Sequence, residues 1–233
     1  NNLGTVYRDL GNFNEAIDNF NKALSYNQNF AEAYYNEGKT YYDLNQNIEA
    51  IESFKKAISV NPNYAEAHNN LGVVLKEINQ TNVSLESFNN AILIKSDFAE
   101  AHNNLGLAYS NLGQINESID CFKLALKFKP NYAYAYNNYG SVLKQIGKFK
   151  DASECYLKAL TIDPNFFEAH NNLGNVFKYL KRHDESLKSY ERTYDLNPQA
   201  DYVLGNIAHA KLHLCSWAEL SNYLNEFPKK INN

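Results

Sequence analysis

Apolar residues return along this chain with two superimposed rhythms, a helical one of three to four residues and a long one of 34. The octapeptide AEAHNNLG spans residues 65 to 72, recurs letter for letter at 99 to 106, and returns as FEAHNNLG at 167 to 174. Numbering positions 1 to 34 from Ala65 divides the chain into repeats at 1–30 (lacking its first four positions), 31–64, 65–98, 99–132, 133–166, 167–200 and a divergent 201–233. Within each repeat the apolar positions are 4, 7 and 11, then 20, 24, 27 and 28. Residues spaced this way share one face of a helix, so every repeat predicts two amphipathic helices closed into a hairpin. The expected fold class is all-α, a solenoid of antiparallel helix pairs.

The small residues support the same hairpin. Position 8 is Gly4, Gly38, Gly72, Gly106, Gly140 and Gly174, and position 20 is Ala or Ser. Glycine inside a helix costs roughly 1 kcal/mol against alanine, so six of them imply a close approach worth more than that. Position 24 is Phe20, Phe54, Phe88, Phe122, Tyr156 and Tyr190, large rings that fill the space beside the contact. Position 15 is Gly11, Gly113 or Gly147, with Asn45 and Asn79 elsewhere, residues suited to a left-handed turn after the first helix. Pro62, Pro130, Pro164 and Pro198 at position 32 are expected to end the second helix.

With an aromatic or His at 4, Leu at 7, Gly at 8, Ala at 20, Phe or Tyr at 24, Ala at 27 and Pro at 32, nearly the whole chain resembles the tetratricopeptide repeat family. The resemblance implies a right-handed superhelix whose first helices line a concave groove, a fold that usually binds and does not catalyse. Where the family often has Trp at position 4, this chain has His68, His102, His170, Tyr34 or Tyr136, expected as packed core residues.

Position 6 is asparagine in every repeat: Asn2, Asn36, Asn70, Asn104, Asn138, Asn172 and Asn206. Position 5 adds Asn1, Asn69, Asn103, Asn137 and Asn171. Asparagine costs roughly 0.5 kcal/mol or more against alanine in a helix interior, so some contact must offset the row. Positions 2, 6, 9 and 13 share the groove stripe, and a primary amide can grip both N–H and C=O of an extended peptide. The seven position-6 asparagines are therefore the candidate peptide-binding residues. The alternative is that they bond locally between adjacent helices. Position 2 is acidic (Glu32, Glu66, Glu100, Glu168), and position 13 runs Asp9, Asp43, Glu77, Asn111, Gln145, Tyr179, His213. This gradient suits a ligand with basic character toward the N-terminal half.

Composition narrows the function. The net charge of −4 lacks the basic footprint that phosphate backbones demand, so no nucleic acid is expected. No apolar run approaches the roughly 18 residues of a membrane span. Cys121, Cys155 and Cys215 lack metal-type spacing and suggest buried thiols in a reducing, cytoplasmic compartment. The sequons at Asn79, Asn82 and Asn116 are no more than chance supplies. The chain starts partway through a helix and looks cut from a longer protein. No catalytic set or cofactor motif emerges, and a protein or extended peptide is the expected partner, with a homodimer through the convex face as a further partner to test.

The last repeat departs from the pattern: Ala208 replaces Gly, Leu220 and Phe227 replace Ala, and Pro228 intervenes. One reading is a cap or junction of helices over 201–233, after six repeats in 1–200. Asp201, Tyr202, His209, Leu214, Cys215 and Trp217 also resemble the segment joining repeats to catalytic region in O-GlcNAc transferase and SPINDLY-type glycosyltransferases. That resemblance implies a substrate-holding groove whose nucleotide-sugar domain would follow Asn233. His209 and His213 stand four apart on one helix face, but two histidines without a third ligand make a weak metal site, and no metal is expected. The remaining alternative is a stand-alone scaffold that assembles protein partners.

Overall fold

The computed structural model describes residues 1–200 and 202–215. Among them are thirteen helices and no strand: α1 Asn2–Asp9, α2 Phe13–Tyr26, α3 Ala31–Asp43, α4 Asn47–Val60, α5 Ala65–Glu77, α6 Thr81–Ile94, α7 Ala99–Asn111, α8 Ile115–Phe128, α9 Ala133–Gln145, α10 Phe149–Ile162, α11 Phe167–Tyr179, α12 His183–Leu196 and α13 Val203–His213. Two compact units divide the chain, Asn1–Phe128 with four hairpins and Lys129–Asn233 with the rest. In each unit every helix packs on the next, and first helices of successive hairpins also meet, α3 on α5 on α7 in one unit and α9 on α11 in the other. The first helices thus share one continuous face within each unit, as the solenoid expectation requires. No described helix is long and apolar enough to cross a membrane.

The glycine and aromatic columns fit as the spacing predicts. A Cβ on any of the six position-8 glycines would lie 2.6 to 2.9 Å from the ring at position 24 of the same hairpin. Those rings, Phe20, Phe54, Phe88, Phe122, Tyr156 and Tyr190, are at most 1% exposed, and burying each contributes about 1.5–3 kcal/mol. The ring therefore takes the space that a side chain at position 8 would occupy. Position 15 is left-handed in every repeat, with φ of 78° at Gly11, 59° at Asn45, 63° at Asn79, 73° at Gly113 and 76° at Gly147, and also 58° at Lys181 and 56° at Cys215.

Two readings need correction. Proline at position 32 is not what stops the second helix, because α2 and α6 end at the same position as α4, with Gln28 and Ser96 in place of proline. The stop lies at position 31, where the backbone turns extended at Asn27, Asn61, Lys95, Asp163 and Asn197. In four of these the side-chain oxygen accepts the N–H two residues on, at 3.0 Å for Asn27 and Asp163 and 3.1 Å for Asn61 and Asn197, a local bond that competes with helix continuation. The apolar column at position 7 is also broken, by Glu37, which is only 6% exposed. Leu220, Phe227 and Pro228, with the rest of 216–233, lie outside the described residues.

Candidate functional site

The asparagine column forms side-chain bonds between hairpins. Asn36 Nδ2 donates to Asn1 Oδ1 at 3.1 Å, Asn104 Nδ2 to Asn69 Oδ1 at 3.0 Å, and Asn172 Nδ2 to Asn137 Oδ1 at 3.0 Å. In a fourth rung Asn70 Nδ2 donates to the Tyr35 hydroxyl at 3.1 Å, Tyr35 standing where its neighbours have asparagine. Each bond joins position 6 of one repeat to position 5 of the repeat before. Asn69 and Asn103 also donate to Asn70 and Asn104 Oδ1, both at 3.3 Å. A net 0.5–1.5 kcal/mol per bond is about enough to offset the helix cost of asparagine. One N–H of each of these four rungs is thereby committed, so the amides are not wholly free to grip a ligand, and the other N–H remains.

Burial separates the two columns only in the middle repeats, since Asn1, Asn137 and Asn171 at position 5 are half-buried like position 6. Asn69 and Asn103 at position 5 are buried, whereas Asn36, Asn70, Asn104, Asn138, Asn172 and Asn206 at position 6 are half-buried and Asn2 is exposed. The position-6 amides thus reach solvent on the face that successive first helices share.

A second set of cross-links runs along the same face with the same offset. Arg8 Nε donates to Asp43 Oδ2 at 2.7 Å, and the Tyr42 hydroxyl to Glu77 Oε1 at 2.5 Å. Burial and that bond push the Tyr42 hydroxyl up to about 12. Asp43 and Glu77 at position 13 thus each accept a bond from the preceding repeat, and of the two only Asp43 meets a cation there. Two cavities open beside first helices, one in each unit. One of about 200 Å³ is lined by Arg8, Lys39, Tyr42, Asp43, Asn70 and Val73. The other, of about 550 Å³, is lined by Lys144, Gln145, Phe149, Asn175 and Tyr179. Burial, and then Arg8, lower the ammonium pKa of Lys39.

The position-4 histidines tie down the turns. His68, His102 and His170 place Nε2 at 3.0, 2.9 and 3.0 Å from the carbonyls of Pro62, Ser96 and Pro164, six residues earlier. An imidazole there supplies the N–H that a phenyl ring could not, on a face that is otherwise apolar. His209 and His213 are joined by His183 from α12, which lies flat on His213 with ring centroids 4.5 Å apart. Among the described residues no group of three ligating side chains is placed to hold a metal. Cys121 and Cys155 are buried and burial pushes their thiols up to about 11, but Cys215 is exposed, contrary to expectation.

A pH dependence follows from two of these rings. Burial lowers the pKa of His170 and of His209, and His213 and Lys178 lower His209 further. The unfolded chain therefore takes up protons near the ordinary histidine value of about 6.5 while the folded chain resists them. Stability is expected to fall as pH drops through this range, read by urea titrations at about pH 7.5, 6.5 and 5.5. His170→Gln together with His209→Gln should flatten the slope. A slope unchanged in the double variant would place the effect elsewhere.

A profile of the TPR repeat matches residues 4–45, 38–79, 74–113 and 140–180. Tetratricopeptide repeat profiles match 99–132 and 167–200. The chain belongs to the tetratricopeptide repeat family. Among curated proteins no sequence matches it. Among solved structures, MamA is 26% identical with a TM-score of 0.60 over 70% of this chain and 95% of its own. YrrB, a TPR protein with an unusual peptide-binding site, is 20% identical with a TM-score of 0.60 over 80% and 96%. The APC/C hetero-tetramer Cut9–Hcn1 is 15% identical with a TM-score of 0.80, covering 89% of this chain and 41% of that one. At the identities of the last two, the likeness carries the fold alone.

Sequence reasoning missed one pairing inside the repeats. Where position 24 is Tyr, position 9 is polar: Ser141 Oγ lies 3.2 Å from the Tyr156 hydroxyl, and the Tyr190 hydroxyl donates to Asn175 Oδ1 at 3.0 Å. Where position 24 is Phe, position 9 is Thr5, Lys39, Val73 or Leu107. The change from Phe to Tyr at position 24 after residue 132 was the available signal, because position 9 is already polar at Thr5 and Lys39.

Proposed function

We propose that this tetratricopeptide repeat chain binds extended polypeptides along the face that the first helices share within each unit, with the position-6 amides reading backbone. The observation that carries this is that Asn36, Asn70, Asn104 and Asn172 on that face are half-buried, each giving one N–H to the neighbouring hairpin while still reaching solvent. Each amide bond to a ligand contributes only about 0.5–1.5 kcal/mol, so affinity depends on several rungs acting together. The two cavities beside the rungs supply room for side chains.

The test compares Asn104→Ala with Asn138→Ala against Asn69→Ala. The first pair removes rung amides. The second breaks the bond received from Asn104 but leaves that amide in place. Binding of unstructured peptides, read by fluorescence polarisation, should fall in the rung variant and hold in Asn69→Ala. The rung variant orphans buried Asn69 and should lose stability by up to about 1–3 kcal/mol, less the helix propensity that alanine recovers, whereas Asn69→Ala orphans only half-buried amides and should lose less. Equal weakening in both would make the amides a hairpin cross-link and nothing more.

A second reading rests on the segment from His209 to Trp217. It makes these repeats the substrate-recognition region of an O-GlcNAc-transferase-like glycosyltransferase, in place of a stand-alone scaffold. His209, Leu214 and Cys215 fall within the described residues, while Asp201 and Trp217 do not. A nucleotide-sugar domain encoded after Asn233 would support it, and a stop codon within a few dozen residues would remove it.

A further inference from the structure

The cavity between α9 and α11 differs in chemistry from the one near the N-terminus. Its wall is an aromatic ledge, with Tyr179 lying on Phe149 at a centroid distance of 4.8 Å and an interplanar angle of 9°. Phe149 is half-buried beneath it, and Tyr179 is 62% exposed. An isolated surface tyrosine would leave this orientation loose, whereas a ring backed by a second ring is held flat and ready to be covered. Across the cavity stands Lys144, half-buried, with its ammonium donating to Asn172 Oδ1 at 3.2 Å and no carboxylate among the described residues that line this cavity. Its pKa is lowered by burial alone. A cation withdrawn from water without a counter-charge gains from an incoming anion. Asn172 is itself a position-6 rung, so the ammonium and the backbone-reading amide adjoin.

We infer that this cavity is a side-chain subsite of the groove and takes a planar aromatic side chain with a carboxylate next to it, as in a Trp-Asp or Tyr-Glu step of an extended polypeptide. The inference rests on the groove reading above and deepens it by naming what one subsite selects. The ring covers Tyr179 and the carboxylate meets Lys144, while Gln145 and Asn175 offer amides at the rim. A cationic side chain would also stack on Tyr179, but Lys144 repels it. Single-stranded nucleic acid likewise combines rings with anions, yet the chain's net charge of −4 opposes a phosphate backbone.

The experiment titrates the full chain with four labelled, otherwise Gly-Ser peptides carrying one Trp-Asp, Ala-Asp, Trp-Asn or Ala-Asn step, and with an oligothymidylate of similar length. Trp-Asp is expected to bind about 5- to 10-fold tighter than Ala-Asn, as expected of one stacked ring plus one ion contact. In Tyr179→Ala the ratio of Trp-Asp to Ala-Asp affinity should fall to about one, and in Lys144→Gln the ratio of Trp-Asp to Trp-Asn, each ratio being taken within one variant so that a change in overall binding cancels. The advantage of Asp should also shrink between about 50 and 300 mM salt. Because the peptides vary as well as the protein, a variant that misfolds leaves the comparison standing on the native chain. Four peptides binding equally would overturn the subsite and leave the groove reading intact. No peptide binding at all would overturn both. Oligothymidylate binding tighter than Trp-Asp would overturn the assignment to a polypeptide.

Discussion

Gly72→Ala is expected to destabilise the chain, although alanine is the better helix former by roughly 1 kcal/mol. The added Cβ would stand 2.6 Å from Phe88 Cε1 and 2.8 Å from Cδ1, closer than side-chain carbons come. Phe88 has no exposed surface and cannot swing away. Overpacking of this kind costs about 1–3 kcal/mol, so the clash outweighs the propensity gain, and Gly72→Val should cost more. Gly205→Ala in α13 is the control, because nothing lies within 4 Å of a Cβ there. It should stabilise by up to about 1 kcal/mol. Urea unfolding followed by far-ultraviolet circular dichroism reads all three. If Gly72→Ala raised the midpoint as Gly205→Ala does, the ring would not be what demands glycine.

That contact was legible in the sequence, and the reason separates it from what was not. Position 8 and position 24 lie in one hairpin, and their residue types complement each other in the six regular copies, so stacking the repeats in columns exposes the pair. The cross-links between hairpins join unlike columns: Asn36 to Asn1, Asn104 to Asn69 and Arg8 to Asp43 are each 35 residues apart, one more than the repeat. An alignment at 34 sets Asn36 over Asn2 and hides the partner one column away. The face that first helices share follows from helical period alone, yet the partners of its acids do not, since Asp43 and Glu77 stand as bare acids in the sequence and as acceptors of bonds from the preceding repeat in the fold. The ledge of Phe149 and Tyr179 was invisible for a like reason. Its rings come from the start of a second helix and the end of the next first helix, and no periodicity within a helix brings those together.

Glu37→Leu is expected to stabilise the chain by about 1–3 kcal/mol at pH 7, the reverse of the usual core substitution. Position 7 is Leu3, Leu71, Leu105, Tyr139, Leu173 and Ile207 in the other repeats, so the hairpin is built for an apolar side chain. Glu37 instead carries a carboxyl into the interface, where Ser53 Oγ donates a single bond at 2.8 Å. Burial raises its pKa, and the bond from Ser53 and the charge of Lys56 recover only part of that. Ser53 need not be orphaned by the change, because Ser189, at the same position of another repeat, donates to the carbonyl four residues back at 2.8 Å. A carboxyl with a folded pKa above its unfolded value contributes most when protonated, and its contribution is lost as pH rises through the folded value. The native chain should therefore lag the leucine variant most at about pH 7 and least near pH 4. Glu37→Gln, uncharged and of equal size, should gain less than Glu37→Leu and show no such narrowing against it. A constant gap between the native chain and the leucine variant across this range would mean that ionisation is not what the hairpin suffers. A loss of stability in Glu37→Leu would mean that the carboxyl holds a partner the fold requires.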